Sequence, residues 1–344
     1  MYTSWDTVGA LFISLLVSYG ITPFARIVSI RLNILDKPEN KKSHGHPMPL
    51  LGGVAIYLAF STGIIFAADI SNIMLGIFIS ATMLLVLGLI DDKMGMVPQL
   101  KLTVQVLAAL TAFKFGLRVI TIEDYYLSMF FTVFWIVGMT NAFNLLDNLN
   151  GLSSGIAAIS SAFFSIIAFL DGDYLVAALA ASITGSCIGF LRFNFPRAQI
   201  FMGDAGSLVL GFLLSCLAII GNWETDKITL SLAIPIVILG YPIFDTTLVT
   251  FIRMMEKRSI FQGGKDHSSH VLAYVGFKKK KAVLFIFAIC LLLGISSMVI
   301  KYSAAAIGLV TLSITAALMA IFGLRLIYLR KKMIRIRDDK QRKA

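Results

Sequence analysis

Eleven separate stretches of the sequence, each close to 20 residues long, consist almost entirely of apolar residues. A helix needs about 20 such residues to cross the hydrocarbon core of a bilayer. Because the stretches are continuously apolar and do not alternate with polar residues, a transmembrane β-barrel is excluded. The sequence therefore predicts an all-α, polytopic bundle of about eleven transmembrane helices. The predicted spans are 7–30, 50–68, 73–90, 101–119, 126–144, 153–170, 174–191, 206–221, 228–251, 282–300 and 303–327.

The composition excludes a water-soluble fold. Hydrophobic residues make up 58% of the chain and charged residues 14%, whereas soluble domains average roughly 45–50% and 25%. So few charges cannot cover the exterior of a soluble protein of this apolar content. The first span lacks a basic n-region and a small-residue cleavage site, so it is predicted to be retained. We expect one transmembrane domain over residues 1–328 and a basic tail at 329–344.

The basic residues are distributed unevenly between the predicted loops. With the N-terminus outside, 26 of the 30 Lys and Arg residues fall on the cytoplasmic side. The opposite loops are short and acidic. This asymmetry predicts an outside N-terminus and a cytoplasmic C-terminus. The net charge of +11 then reflects loops that face anionic lipid headgroups, and no nucleic-acid partner is expected.

Ionisable groups gather at one predicted interface. All four histidines and eleven of the nineteen carboxylates lie in cytoplasmic loops or near helix ends. A flippase or solute transporter, the alternative of another class, would be expected to place such groups at mid-depth. A scaffold protein, a third alternative, leaves the clustered acids unexplained. The pattern favours an enzyme that joins a water-soluble substrate to a lipid-borne one. The acids at or near predicted helix ends include Asp91, Asp92, Asp147, Asp204 and Asp245.

Two adjacent acids, Asp91 and Asp92, follow the apolar run of the third span. Such a pair can bind a hard cation such as Mg²⁺, or one carboxylate can act as a base. The structural alternative is a solvated helix end, although acids there oppose the helix macrodipole. The three cysteines lie inside apolar runs without a CxxC pair, which predicts packing roles and neither a disulfide framework nor a zinc site.

The connection after the fifth span is unusually rich in amides and acids. Asn144 and Asp147 are three residues apart, so a helical turn would place both on one face. Capping the two neighbouring helices is the structural alternative, although it needs fewer polar groups. We interpret the segment as a ligand-binding loop. Its polar members are Asn141, Asn144, Asp147, Asn148 and Asn150.

A third polar segment, 193–207, opens the eighth span with Gly203-Asp204-Ala205-Gly206-Ser207. Small residues at a helix N-terminus can cradle a phosphate, and Asp204 could hold a metal against it. An N-capping Asp204 is the alternative. Phe201 could stack on a nucleobase, with simple packing as the alternative.

The 252–281 loop carries Arg258, His267 and His270. Two histidines three residues apart could bind zinc, but no third nitrogen or sulfur ligand stands at a usual spacing. They are better suited to contacting a pyrophosphate or to moving protons.

The order of these motifs resembles one family, the polyprenyl-phosphate N-acetylhexosamine-1-phosphate transferases of bacterial cell envelopes. The resemblance runs from about residue 36 to 275 and includes the first loop, Asp36-x-Pro38 to Gly52-Gly53, with Lys42 and His44. The 228–256 run is long and carries Pro235 and Pro242, like the long, bent ninth span of that family.

The resemblance implies transfer of a sugar 1-phosphate from a UDP-sugar to undecaprenyl phosphate, which gives undecaprenyl-pyrophosphoryl-sugar and UMP. It also implies Mg²⁺ as cofactor, with Mn²⁺ as an alternative, and a site on the cytoplasmic face of the bacterial inner membrane. A homodimer is an open alternative to a monomer. Asp204 is the expected metal ligand, together with Asp92.

The resemblance also assigns roles to individual side chains. Asp91 and Asp92 would lie beside the lipid phosphate, and in the simplest mechanism Asp91 removes its proton, with a two-step route through an Asp nucleophile left open. Asp147, His267 and His270 complete the expected catalytic residues. The expected substrate contacts are Lys42, His44, Asn144, Asn148, Asn150, Phe201 and Arg258.

Two departures from the family pattern narrow the substrate. Asn150 replaces a carboxylate of the Asp-Gly-x-Asp-Gly motif that many members carry, so an amide would meet the nucleotide base. The late loop lacks the consecutive histidines expected of the phospho-MurNAc-pentapeptide transferase, which remains the alternative. The pattern favours a small UDP-N-acetylhexosamine, GlcNAc or a modified relative, used for O-antigen, teichoic acid, capsule or glycoprotein glycans.

Overall fold

A computed structural model describes residues 2–36, 46–67, 71–259, 264 and 266–343, with side chains described as far as residue 332. Its described residues form thirteen helices and one two-stranded antiparallel sheet, so the prediction of an all-α bundle is confirmed. Strands β1 (Leu35–Asp36) and β2 (Met48–Pro49) pair with Leu35 opposite Pro49. The helices are α1 Ser4–Arg31, α2 Gly52–Ala67, α3 Asn72–Met94, α4 Pro98–Lys114, α5 Tyr125–Leu146, α6 Leu152–Leu170, α7 Tyr174–Asn194, α8 Gly203–Ile220, α9 Ile228–Ile238, α10 Gly240–Met255, α11 Ser268–Tyr274, α12 Lys279–Tyr302 and α13 Ala305–Lys343.

Each of the eleven predicted spans falls on a helix or, for the ninth, on a helix pair. Eight of the described helices are long and apolar enough to cross a membrane, and the bent pair α9–α10 brings the number to nine. α2 and α4, with 16 and 17 residues, are shorter than a typical span. The protein is an integral membrane protein. The number of crossings and their orientation stay predictions.

The ninth predicted span is two helices that meet at 77°. Pro235 lies inside α9 and lacks the N–H that would continue the helical ladder. Leu239 ends α9 and begins α10, and Pro242 falls in the first turn of α10, where a missing N–H costs nothing. Pro235 weakens the end of α9 and Pro242 suits the start of a new helix, so the run bends between them, as the family resemblance implied.

The chain divides into two compact units, Met1–Asn222 and Trp223–Ala344. The first contains α1 to α8, with α1 packed on α2 and α7, and α8 packed on α3 and α5. The second contains α9 to α13, with α12 packed on α9 and α13. α13 continues without a break through residue 328, so the predicted tail is the end of this helix. The separate roles predicted for 1–328 and 329–344 stay predictions.

Candidate active site

Asp91 lies in the last turn of α3, and both of its oxygens accept hydrogen bonds. Oδ1 accepts the backbone N–H of Met96 at 2.6 Å, and Oδ2 accepts from Lys101 Nζ at 2.7 Å. These donors compensate for the unfavourable position of a carboxylate at a helix C-terminus. They also fix the direction in which the carboxylate points.

Asp92, the neighbouring acid, caps a different helix. Its Oδ1 accepts the backbone N–H of Asp204 at 2.8 Å, and its Oδ2 accepts that of Ala205 at 3.3 Å. The N-cap residue of α8, Met202, makes no side-chain cap hydrogen bond, so Asp92 satisfies donors that a helix N-terminus leaves open. A Cβ on Gly203, whose φ is +67°, would stand 2.3 Å from Asp92 Oδ2. Asp92 therefore holds Asp204 in place.

Lys101, in the first turns of α4, links the two acids that the sequence had placed far apart. Its Nζ forms ion pairs with the carboxylates of Asp91 and Asp204. Lys101 was predicted only as one of the positive-inside charges and not as a site residue. A lone Lys next to the start of an apolar span gives no signal of its partners, because they lie on α3 and α8.

Two glycines let α2 and α3 approach the backbone of α8 at its first turn. A Cβ on Gly88 would stand 2.3 Å from the backbone of Ala205, and a Cβ on Gly53 would stand 2.2 Å from the backbone nitrogen of Gly206. Backbone atoms cannot move aside as a flexible side chain can. This close packing sets the distance between the acids of α3 and those of α8.

Replacing Gly88 with alanine is expected to destabilise the fold by about 1–3 kcal/mol, because the new methyl group overpacks a rigid contact. The measurement is the thermal unfolding temperature of the detergent-solubilised protein. Gly138→Ala is the matched control, since nothing lies within 4 Å of a Cβ at that helical position. Equal unfolding temperatures for the two variants would contradict the packing described here.

The end of α5 brings the predicted amide-rich segment close to α8. α5 continues to Leu146, two residues beyond the predicted span, so Asn141 and Asn144 are helical, although they were also counted in the connection that follows the span. Asn144 Nδ2 donates to Ser207 Oγ at 3.0 Å, and Ser207 stands three residues after Asp204 on α8. Asn141 instead bonds Gln105 on α4 at 2.5 Å. Asn144 thus joins the acid cluster, and Asn141 links α5 to α4.

Asp147, the residue that ends α5, has an unusual acidity. Burial and the negative charge of Asp204 raise its pKa to about 7. Both effects disfavour the charged form of the carboxyl group. At neutral pH this side chain is therefore poised between its protonated and ionised forms, which is the range in which a general base works best.

The raised pKa of Asp147 predicts a pH-dependent stability. The folded protein holds this proton up to about pH 7, whereas the unfolded chain releases it near pH 4, so stability falls as pH rises through that window. Asp147→Asn removes the effect, and its unfolding temperature should gain on the wild type between about pH 5 and pH 8. The scan is made in EDTA to exclude divalent cations. A difference that does not change with pH would contradict the assignment.

The residues predicted to meet the nucleotide base lie on two segments. Asn148 Nδ2 donates to the carbonyl of Leu145 at 3.1 Å, which is a local turn contact, and Asn150 is exposed. Phe201 is half-buried, and its backbone bonds both Pro49 and Gly52 at 2.8 and 3.0 Å. These bonds tie β2 to the entrance of α8. The nucleobase roles stay predictions, and Lys42 and His44 lie outside the described residues.

In the second unit, His267 pairs with an acid that the sequence placed near a helix end. Asp245 instead lies within α10, with 1% of its surface exposed. Its Oδ2 stands 2.8 Å from Nδ1 of His267, the residue that precedes α11. The ring of His270 is half-exposed, and its centroid is 6.4 Å from that of His267. The predicted zinc alternative gains no support from this geometry.

Arg258 belongs to a cluster of charges around Asp266. Arg253, Arg258 and Arg330 all donate to Asp266, at 3.3, 3.0 and 2.7 Å. Burial opposes ionisation of Asp266, but the guanidinium groups of Arg258 and Arg330 hold its pKa below the usual range. Neither Asp266 nor Arg330 was predicted as a site residue, because their partners lie on separate elements.

The acids of the first unit fit a divalent cation. The ammonium group of Lys101 is shared by the carboxylates of Asp91 and Asp204, so two acids share one basic group. Carboxylates are hard oxygen donors, and Mg²⁺ is often held by one or two of them together with substrate phosphates. The described residues contain no group of three or more His, Cys, Asp or Glu side chains placed to hold a metal ion.

Half-buried acids, two of them paired with one Lys, lie at one end of an apolar helical bundle, an arrangement suited to an enzyme that acts on phosphate-bearing substrates at a membrane. Residues 74–222, which include every member of this acid cluster, match the model of glycosyl transferase family 4.

Curated relatives match most of the chain. The chain is 35% identical over 302 residues, 85% of its length and 84% of the relative, to a Bacillus subtilis protein named as a probable undecaprenyl-phosphate N-acetylglucosaminyl 1-phosphate transferase. It is 33% identical to the Thermotoga maritima undecaprenyl-phosphate alpha-N-acetylglucosaminyl 1-phosphate transferase, over 82% of the chain and 88% of the relative. It is 28% identical to a decaprenyl-phosphate N-acetylglucosaminephosphotransferase of Mycolicibacterium smegmatis, over 79% and 76%. The chain belongs to this family of polyprenyl-phosphate sugar-1-phosphate transferases.

Proposed function

We propose that this protein transfers N-acetylglucosamine 1-phosphate, or that of a modified relative, from a UDP-sugar to undecaprenyl phosphate. The products are undecaprenyl-pyrophosphoryl-sugar and UMP, and the reaction begins the synthesis of a cell-envelope glycan. The observation that carries the proposal is the cluster of Asp91, Asp92, Lys101 and Asp204, which brings charges from three helices to one end of the bundle. The names of the relatives support the sugar and the lipid.

The reaction exchanges one phosphorus–oxygen bond for another. An oxygen of the lipid phosphate attacks the β-phosphorus of the UDP-sugar, the phosphorus that bears the sugar. The bond from this phosphorus to the bridging oxygen breaks, and UMP leaves with that oxygen. Because two anions must approach each other, positive charge is needed at the site. A Mg²⁺ held by Asp204 and Asp91 would offset charge on the diphosphate and on the departing UMP.

The hydrogen bonds and the pKa values of the acids support a different role for each acid. Both oxygens of Asp92 are engaged by backbone N–H groups of α8, which favours a positioning role over the metal ligation predicted from the sequence. Both oxygens of Asp91 also accept hydrogen bonds. Asp147, with its pKa of about 7, is better suited than Asp91 to take the proton of the lipid phosphate, whose own second pKa is about 6.

The placement of the site follows from the charges of the loops. The positive-inside asymmetry favours an acid cluster at the cytoplasmic face of a bacterial inner membrane. A nucleotide sugar is water-soluble and undecaprenyl phosphate is lipid-borne, so this interface is where the two substrates can meet.

The test is release of UMP by the purified protein in the presence of Mg²⁺, undecaprenyl phosphate and UDP-GlcNAc. UDP-GalNAc and a diamino-sugar nucleotide are run in parallel to identify the sugar. We expect UMP only when lipid phosphate and Mg²⁺ are both present, and EDTA should abolish release. UMP release that does not depend on the lipid, or no release with any of these donors from folded protein, would contradict the proposal.

A further inference from the structure

The ammonium group of Lys101 lies between two carboxylates that belong to different helices. Its Nζ stands 2.7 Å from Oδ2 of Asp91 and also contacts Oδ2 of Asp204. The other oxygen of Asp91, Oδ1, accepts the backbone N–H of Met96 at 2.6 Å. Oδ2 is therefore the oxygen through which Asp91 can bind a further group, and Lys101 already occupies it.

The two acids are held in place more firmly than the lysine. Asp91 is fixed by the N–H of Met96, and the backbone of Asp204 is fixed by Asp92, whose Oδ1 accepts its N–H at 2.8 Å. The ammonium group of a lysine is carried on a flexible four-carbon stem. The side chains of Lys101 and Asp204 are 18% and 29% exposed, so water reaches both. Lys101 is therefore the member of this group that is free to move.

A divalent cation bound by the same two carboxylates needs the position of the ammonium group. Magnesium binds carboxylate oxygens at about 2.1 Å, so a cation held by Oδ2 of both acids would fill the space that Nζ of Lys101 occupies. Two cations this close repel each other strongly, because a partly buried site screens charges less than bulk water does. The charges also match, since two carboxylates balance one divalent cation but exceed one ammonium group.

We infer that Lys101 and the divalent cation compete for the carboxylates of Asp91 and Asp204, so that binding of the cation releases the ammonium group. The inference rests on the proposed function for the presence of that cation. The released ammonium group has three donors for the phosphate oxygens of the substrates. Lys101 thereby keeps the affinity for the free cation low and favours its arrival together with a nucleotide, whose phosphates receive the ammonium group.

The first test measures binding of Mn²⁺, a paramagnetic substitute for Mg²⁺, to the full-length protein in detergent without substrates. Free Mn²⁺ is counted by electron paramagnetic resonance. The variant K101Q removes the charge and keeps a long polar side chain. It is expected to bind Mn²⁺ at least about tenfold more tightly than the wild type, because a competing positive charge is lost. Affinity that is unchanged or weaker in K101Q would overturn the inference.

The matched control for this test is K93Q. Lys93 is an exposed lysine in the last turn of α3, two residues after Asp91, so the variant removes the same charge from the same neighbourhood. It should change the affinity for Mn²⁺ less than about threefold, since solvent and salt screen an exposed charge. Equal gains in the two variants would show an effect of net charge alone and would overturn the inference.

A second test uses the wild-type protein, so it does not depend on the folding of a variant. Acetic anhydride acetylates lysine side chains, and a lysine held in ion pairs reacts more slowly than a free one. We expect acetylation of Lys101, measured by mass spectrometry of its peptide, to rise several-fold as Mg²⁺ is added, while that of Lys93 stays constant. Protection of Lys101 by Mg²⁺, or no change, would overturn the inference. Absence of UMP release from the wild type would contradict the proposed function and leave this result standing.

Discussion

Replacing Asp204 with asparagine is expected to lower the rate of UMP release at least about 10²-fold, since losing several kcal/mol of charge stabilisation has that effect. The carboxylate of Asp204 pairs with Lys101 and is the acid whose backbone N–H is held by Asp92. The amide of asparagine keeps the size of the side chain but not its charge. The measurement is the steady-state rate of UMP release at saturating substrates over a range of Mg²⁺ concentrations.

The matched control for this prediction is Asp226→Asn. Asp226 is an exposed acid in the other unit of the chain, so its loss should leave the rate unchanged. Asp204→Asn should still fold, because the backbone N–H that Asp92 accepts is retained. A variant with wild-type turnover and the wild-type dependence on Mg²⁺ would rule out Asp204 as the metal ligand.

Replacing Arg330 with methionine is expected to destabilise the protein by about 1.5–3 kcal/mol, because the buried carboxylate of Asp266 loses one of its three guanidinium partners. Arg330 is 8% exposed and donates to both Asp266 and Glu256. Without Arg330, Asp266 keeps only Arg253 and Arg258 among the described residues, and Glu256 keeps only Arg258. The measurement is the thermal unfolding temperature in detergent near pH 7.

Lys331→Met is the control, since Lys331 is the exposed neighbour of Arg330 on α13 and carries the same charge. The pH dependence gives a second check. Because the pKa of Asp266 is held below its usual range, the stabilisation by this cluster is present above about pH 4 and is lost as pH falls further. The gap between wild type and Arg330→Met should therefore close on acidification. A gap that is absent at neutral pH would show that the cluster does not stabilise the fold.

The apolar runs predicted the positions of the helices well, because a segment that crosses lipid must form its backbone hydrogen bonds within itself. The bend of the ninth run was expected from the family resemblance, and the positions of Pro235 and Pro242 in that run agree with it. The predicted ends of the helices were less accurate than their positions along the chain. The fifth span was predicted to end at residue 144, whereas α5 continues to Leu146, and its Asn141 and Asn144 are tolerated in a helix because they bond neighbouring helices.

The acids of the site were found individually, since Asp91, Asp92 and Asp204 each interrupt apolar sequence. The sequence did not show that each of these acids has a different structural role. Asp92 caps α8, Lys101 bridges two carboxylates, and neither contact has a local signature. Asp245 was counted among the acids near helix ends, although it lies buried within α10 and pairs with His267. Its polar neighbours are 22 and 23 residues away along the chain.

The sequence by itself determined that this chain is an α-helical membrane protein, which residue types carry its chemistry, and which family it resembles. These properties depend on hydrophobic runs and on motifs a few residues long. The tertiary structure alone decided which acid caps the helix of another, which Lys the acids share and which histidine pairs with Asp245. Those are distances between elements far apart in sequence, and they are set by close packing such as that of Gly53 and Gly88 on α8. A packed interface of this kind depends on the shapes of both partners, so one segment of sequence cannot specify it.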